Sequence, residues 1–177
     1  YSMAQQTANW LVSMGISPKE RILVDQLPFP QNEILAFGIW TLGASMVLVG
    51  DQNIADATIN SAPSLIINSD VNYFEKIKTF SKDFNPTYKP LLADEAMVFW
   101  NDGKGIKLSH YNLLVNTNGI QHAIDLYENQ TFHVSLEPKS MAWVILQAIL
   151  PLYSGAPLTA KDPDIYLGKN EGNFLIK

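Results

Sequence analysis

The sequence predicts an α/β domain of three layers, a mainly parallel sheet with helices on both faces. Three observations carry that expectation. Short apolar runs alternate with stretches of helical periodicity, the pattern of strands joined by helical crossovers. Most of those runs are apolar at nearly every position, as strands covered on both faces must be. Finally, 47% hydrophobic and 16% charged residues over 177 positions can build a core, which excludes a disordered, collagen-like or coiled-coil chain. The expected organisation is one domain over residues 1–177. It has two lobes, about 1–80 and 96–160, joined by a connector at 81–95 that carries two prolines and no clear period.

Each element has a local reason. Met3, Trp10, Leu11 and Met14 keep to one helical face between Ser2 and Met14, and Gly15 supplies the stop. Arg21–Asp25 is a short apolar run suited to a buried strand. Pro30 opens a helix that ends at Gly43, with Glu33 in the first turn where the helix dipole favours a negative charge. Its apolar residues surround it almost completely, so it should be buried on several sides. Ser45–Val49 is a second strand, ended by Gly50-Asp51. Ile54–Ser61 reads as a short helix, Ser64–Ile67 as a strand and Val71–Phe80 as a helix.

The second half opens on Ala96–Trp100, a strong strand candidate. The turn Asn101–Gly105 leads into Ile106–Leu108, and Ser109 then caps a long helix whose stripe runs from Leu113 to Tyr127. Thr131–Ser135 alternates like a strand. Met141, Val144, Ile145, Ala148, Ile149 and Leu152 form the cleanest helical pattern, which Pro151 should kink or end. Gly155–Thr159 reads as a last strand, and after Lys161 the pattern is ambiguous.

Composition narrows the function. Twelve basic against seventeen acidic residues give a net charge of −5 with no basic stripe, which argues against a nucleic-acid binder. The absence of cysteine removes disulfides, thiolate metal sites and cysteine nucleophiles, and fits the cytoplasm. The longest apolar stretch, Met141–Tyr153, is broken by Gln147 and Pro151 and is too short to span a bilayer. The first residues lack the basic flank and apolar run of a signal peptide. They also lack an initiator methionine, so the chain is expected to be processed or cut from something longer.

Three segments, in order, resemble one family. Glu20–Pro28, the helix to Trp40-Thr-Leu-Gly43-Ala44 and the next strand are similar to the opening of the AMP-forming acyl- and aminoacyl-adenylating enzymes. The strand ending at Trp100, then Lys104–His110 and Asn112-Leu113, is similar to the end of that family's phosphate loop and the helix after it. Leu146–Ala156 matches the following region. The resemblance covers about Ala4 to Thr159 and only the N-terminal part of a complete enzyme. It implies an α/β fold like the family's N-terminal subdomain, and an ancestral reaction in which a carboxylate and ATP give an acyl-adenylate, usually passed to coenzyme A or a carrier thiol. That chemistry needs backbone N–H groups and hydroxyls converging on the phosphates, with magnesium and a cation to balance developing charge.

The chain departs from the family where the phosphates would lie. The family's loop reads roughly Thr-Ser-Gly-Thr-Thr-Gly-x-Pro-Lys-Gly. Here only Asn101, Asp102 and Gly103 precede Lys104 and Gly105, and these five are the relic nucleotide-binding positions. They read as a tight hairpin with Asp-Gly in the turn and Lys104 on the rim. A carboxylate such as Asp102 at ~4 Å from a phosphate oxygen costs about 1 kcal/mol in water and about 4 kcal/mol at an effective dielectric of 20. The family's aromatic–His pair falls on Lys139 and Ser140, and its later motifs have no counterpart before Lys177.

The remaining candidates favour structural roles. His110 follows Ser109 at a helix start, and His122 and His133 have no partner at metal spacing. Asp25 ends a strand, where it could face a ligand or cap the Pro28–Pro30 turn. Ser109 and Ser140 suit helix caps, and neither sits in a nucleophile elbow. Trp10, Trp40, Trp100 and Trp143 lie within apolar elements and suit the core. The expectation is a diverged, truncated relative, catalytically inactive alone, with no catalytic or metal-binding residues and no required cofactor. It would act as a binding module whose apolar surface is covered by a second copy or a partner protein. The alternative is the N-terminal piece of a longer or split acyl-adenylating ligase, which would require ATP and Mg²⁺.

Overall fold

The chain forms two sheets, and they belong to separate units. The computed structural model describes residues 1–50, 54–136, 140–170 and 173–176, and divides into Tyr1–Tyr111 and Asn112–Lys177. The first unit holds β1 (Arg21–Val24), β2 (Ser45–Val49), β3 (Leu65–Ile67), β4 (Glu95–Asn101) and β5 (Lys104–Ser109), in the order β3-β1-β2-β4-β5. β3, β1, β2 and β4 are parallel, and β5 returns antiparallel to β4. The α/β expectation therefore holds, with α1 (Ser2–Ser13), α2 (Gln31–Leu42), α3 (Ile54–Ser61) and α4 (Tyr73–Ile77) as the helices of this unit.

Topology explains why both faces are covered. The chain moves one way across the sheet from β1 to β2 and the other way from β2 to β3, so right-handed crossovers place α2 and α3 on opposite faces. On one face Leu23, Val47, Val49, Val98 and Trp100 pack with Ala57 of α3. Ile22, Val24, Met46, Leu48 and Met97, one residue out of phase, are also buried. α2 is covered by α1, and their contact depends on a glycine. A Cβ on Gly38 would come 2.3 Å from Thr7 Cβ, so only a bare Cα lets the helices meet.

The polar side of α1 explains two differences from the sequence reading. Gln6 Nε2 donates to the carbonyls of Ile77, Lys78 and Phe80, at 3.3, 3.3 and 3.1 Å. These bonds satisfy the end of α4 from outside, and the helix stops at Ile77 although its pattern runs to Phe80. Asn9 Nδ2 donates to Ser81 O and Asp83 O, and Tyr88 OH donates to Asp94 Oδ2, which lies 3.7 Å from Lys19 Nζ through the other carboxylate oxygen. Residues 81–94 are thus held by the first unit. The division falls at 111/112, and residues 96–109, assigned by the sequence to the second lobe, complete the first sheet.

One ionic cluster joins the starts of the parallel strands. Arg21 Nε and Nη2 donate to Glu95 Oε1 and Oε2, both at 2.7 Å, Ser45 Oγ donates to Oε1 at 2.9 Å, and Arg21 Nη1 reaches Ser61 O at 3.0 Å. β1, β2, β4 and the end of α3 meet there. Burial raises the Glu95 carboxyl pKa, but the hydrogen bonds from Arg21 and Ser45 outweigh it and hold the group below its ordinary range.

The second unit contains α5 (His110–Ile124, from its third residue on), β6 (Phe132–Ser135), α6 (Met141–Trp143), α7 (Leu150–Ser154), β7 (Ile165–Asn170) and β8 (Asn173–Ile176). Its sheet has the order β6-β7-β8, with β6 parallel and β8 antiparallel to β7. Leu126, Phe132, Leu146, Leu150, Ala156, Ile165 and Leu167 form its core. Pro151 does not stop the helix. Val144–Ile149 winds as a π-helix between α6 and α7, and this wider turn accommodates the ring that an α-helical ladder would exclude. Gly155–Thr159 contributes a single bridge, Leu158 to Phe132, rather than a strand, and the β7–β8 hairpin lies where the sequence pattern was ambiguous.

Two outcomes follow from these local structures. Glu95→Gln is expected to lose about 1–3 kcal/mol in urea unfolding at pH 7. Because the folded pKa is depressed, the Glu95 contribution is present above the unfolded value of about 4.3 and is lost as pH falls through the folded value. The gap between Glu95→Gln and the parent protein should therefore shrink in acid, and a gap that widens would contradict the assignment. At the β4–β5 turn Asp102 and Gly103 have φ of 49° and 68°, the type I′ pattern, and nothing lies within 4 Å of a Cβ built on Gly103. Gly103→Ala should therefore cost about 1 kcal/mol by backbone conformation alone, measured in the same way.

Candidate functional site

Asn101, Asp102, Gly103, Lys104 and Gly105, the positions expected from the sequence, come together at the carboxyl end of β4, the rim on which open α/β sheets carry ligands. β4 and β5 pair through to Asn101 and Lys104, leaving only Asp102 and Gly103 in the turn. Lys104 and Gly105 are therefore strand residues, not loop. Asp102, Gly103, Lys104 and Gly105 are exposed, and Asn101 is half-buried.

Neighbouring residues pack against the base of the tip. Gly50, just past β2, donates its N–H to Trp100 O at 2.9 Å, and a Cβ on Gly50 would come 2.8 Å from Asn101 Oδ1. The Asn101 side chain thus lies against the Gly50 backbone, with its Nδ2 donating to Asp102 Oδ2 at 2.9 Å. Trp100 Nε1 donates to Asp56 Oδ2 at 3.0 Å, and Asp56 Oδ1 accepts from Asn60 Nδ2 at 2.9 Å. On β5, a Cβ at Gly105 would come 2.8 Å from the Trp100 ring, so the glycine gives the indole its place. Asp51, which the sequence reading put at the end of β2, lies outside the described residues.

The chemical inventory of the tip is short. The turn offers two backbone N–H groups, the side chains add one ammonium, and Asp102 brings a carboxylate. Among the described residues Lys104 makes no ion pair. Asp56, Gly50 and the Asn101–Gly50 contact were not legible in the sequence. No spacing links Asp56 to Trp100 or Asn101 to Gly50, because only the sheet order brings them together.

The other candidates lie elsewhere. His110 packs edge-on against Trp40 at 6.3 Å, and burial lowers its pKa while Asp94 opposes that shift. It sits by the start of β4, about 20 Å along the strand from the tip. His133 Nδ1 lies 3.0 Å from Thr159 O, and its ring stacks on Tyr166 at 5.4 Å. His122 is exposed near the end of α5. Among the described residues no three His, Cys, Asp or Glu side chains are grouped to hold a metal ion. Asp25 Oδ1 accepts the Gln26 N–H at 2.9 Å, so the carboxylate serves its own turn. Ser140 Oγ accepts from Trp143 N at 3.2 Å, the cap that the sequence suggested, while Lys139 lies outside the described residues. Trp10, Trp100 and Trp143 are buried, and half-buried Trp40 donates to Ala96 O. Among the described residues no helix is long and apolar enough to cross a membrane.

No protein-family model matches the chain, and no curated protein does. Solved structures do match. Apo MatB from Rhodopseudomonas palustris superposes with a TM-score of 0.72 at 15% identity, over 89% of this chain and 38% of that one. VinN in complex with L-aspartate gives 0.75 at 16% identity, over 89% of this chain and 52% of that one. The fatty acid AMP ligase from Legionella pneumophila gives 0.74 at 19% identity, over 90% and 33%. A related Legionella fatty acyl-adenylate ligase was solved with acyl adenylate and pyrophosphate. This chain spans about a third to a half of the length of these proteins. It has the α/β fold of a fragment of adenylate-forming ligases.

Proposed function

We propose that this chain retains the scaffold of an adenylate-forming ligase as a binding module and does not itself activate carboxylates. The observation that carries this reading is the Asn101–Lys104 pairing, which leaves two residues where a phosphate-wrapping loop would stand. Backbone N–H groups cradle phosphates when successive residues curve around them. A two-residue turn presents two such groups, flanks them with a carboxylate and supplies one cation. Its neighbours are already engaged, Asn101 against Gly50 and Trp100 with Asp56. The residues present do not fit ATP with Mg²⁺, and no adenylation step is assigned to them. Exposed apolar side chains in the first unit, among them Ile59, Leu91 and Leu92, support a second copy or a protein partner as the bound species.

A second reading has its own support. The chain spans only 33–52% of the matched ligases, which favours the N-terminal piece of a longer or split enzyme. Carboxylate-dependent ATP–pyrophosphate exchange separates the two. The natural full-length protein that carries this chain is expected to give no exchange above the buffer rate with any carboxylate. Exchange that depends on both carboxylate and Mg²⁺, and that falls on Lys104→Ala, would overturn the binding-module reading.

A further inference from the structure

The sheet of the first unit ends at β3 on one side and at β5 on the other, and the two edges differ in charge. An edge strand leaves a row of backbone N–H and C=O groups unpaired, and folds guard such rows with lysine, proline or a bulge. β5 is guarded, with Lys104 and Lys107 exposed along it. Leu65–Ile67 of β3 has none of these devices, and no charged residue stands from Ser61 to Ser69. Ile66 is 39% exposed at this edge. It is level with Leu23, whose side chain packs on the α3 face, so Leu65 and Ile67 point to the opposite face. Beside the edge is a half-open pocket of about 370 Å³ whose wall includes Leu65 together with Trp10 and Met14 at the end of α1. Trp10 is held edge-on by Tyr73 at 6.1 Å, so part of that apolar wall is fixed in place.

We propose that β3 docks a second copy of this chain, the two β3 strands pairing antiparallel about a two-fold axis at Ile66. The choice of partner rests on the binding-module reading, to which this adds the surface. The register is self-complementary. Ile66 faces its own counterpart, Leu65 faces Ile67 of the second copy and Ser64 faces its Asn68, so apolar meets apolar and polar meets polar. No charges oppose each other in this seam, whereas two β5 edges would bring exposed lysines together. Leu65 of the second copy, opposite Ile67, falls on the face that holds the pocket and brings an apolar side chain beside its wall. A strand from another protein could use the same ladder, but the second copy carries the matching side chains in its own sequence. The ladder is short, with three residues from each copy, so the contact is weak and reversible.

Sedimentation equilibrium of the natural full-length protein that carries this chain tests the pairing. A reversible monomer–dimer equilibrium is expected, with a dissociation constant on the order of 10–100 μM. Ile66→Lys puts like charges on the axis and should weaken dimerisation at least about tenfold, with circular dichroism checking that the fold is kept. The chain has no cysteine, so Ile66→Cys gives it a single thiol. In the proposed register the two Cα atoms lie about 4.5–5.5 Å apart, within disulfide reach, and mild oxidation should yield a covalent dimer. Asn68→Cys, whose two copies would stand about 14 Å apart, should not cross-link. These two variants carry the test should Ile66→Lys fail to fold. A protein that stays monomeric to about 300 μM would overturn the proposal. So would a dimer that Ile66→Lys leaves intact, or equal cross-linking of the two cysteine variants. Each of those results leaves the binding-module reading in place, which carboxylate-dependent exchange overturns separately.

Discussion

The parallel pairing of β4 with β2 is the constraint from which the rest of the first unit follows. Met46, Val47, Leu48 and Val49 face Met97, Val98, Phe99 and Trp100 in register. At the lower end Glu95 is gripped by Arg21 and Ser45, so a slip of β4 would break a bidentate ion pair as well as the ladder. At the upper end the same register carries Asn101 against Gly50 and Trp100 to Asp56. With its last residues held on both sides, the strand reverses within two residues. The position of the candidate site on the sheet is thus tied to a lock at the opposite end.

The two ends divide the work as α/β folds usually do. The starts of the strands collect Arg21, Ser45, Glu95, Ser64 and Glu20, each with a polar partner. These groups stabilise, and the pH response of Glu95 is that of a carboxylate held ionised. The carboxyl ends carry the tip, with exposed Lys104 and Asp102 and a glycine on each side of the Trp100–Asn101 pair. Open space at such a rim normally makes a ligand site. Here much of the wall of that space is side chain.

Local chemistry was readable in the sequence wherever it set the structure alone. Ser45–Val49 and Ile54–Ser61 match the expected boundaries, because an all-apolar run and a short amphipathic stretch each specify one element. Asp102-Gly103 specified the hairpin for the same reason. The failures lie where distant residues decide. α4 ends early because Gln6, more than 70 positions away, takes its last carbonyls. Pro151 is absorbed by a π-helical stretch that no propensity announces. The division between units was misread because prolines at 86 and 90 mark a break in periodicity, although Asn9 holds that segment to the first unit. In the candidate site, the five tip residues were legible and their walls were not. Asp56 and Gly50 reach the tip only through strand order.

An NMR titration of the labelled chain with MgATP, following the Gly50 and Asn101–Gly105 amides and the Trp100 indole, tests most directly whether this rim lacks a triphosphate grip. At about 1 mM MgATP, the upper end of ordinary enzyme affinities, the account predicts that these signals stay where they are. Saturable shifts concentrated on them, absent when ATP is replaced by AMP, would contradict it.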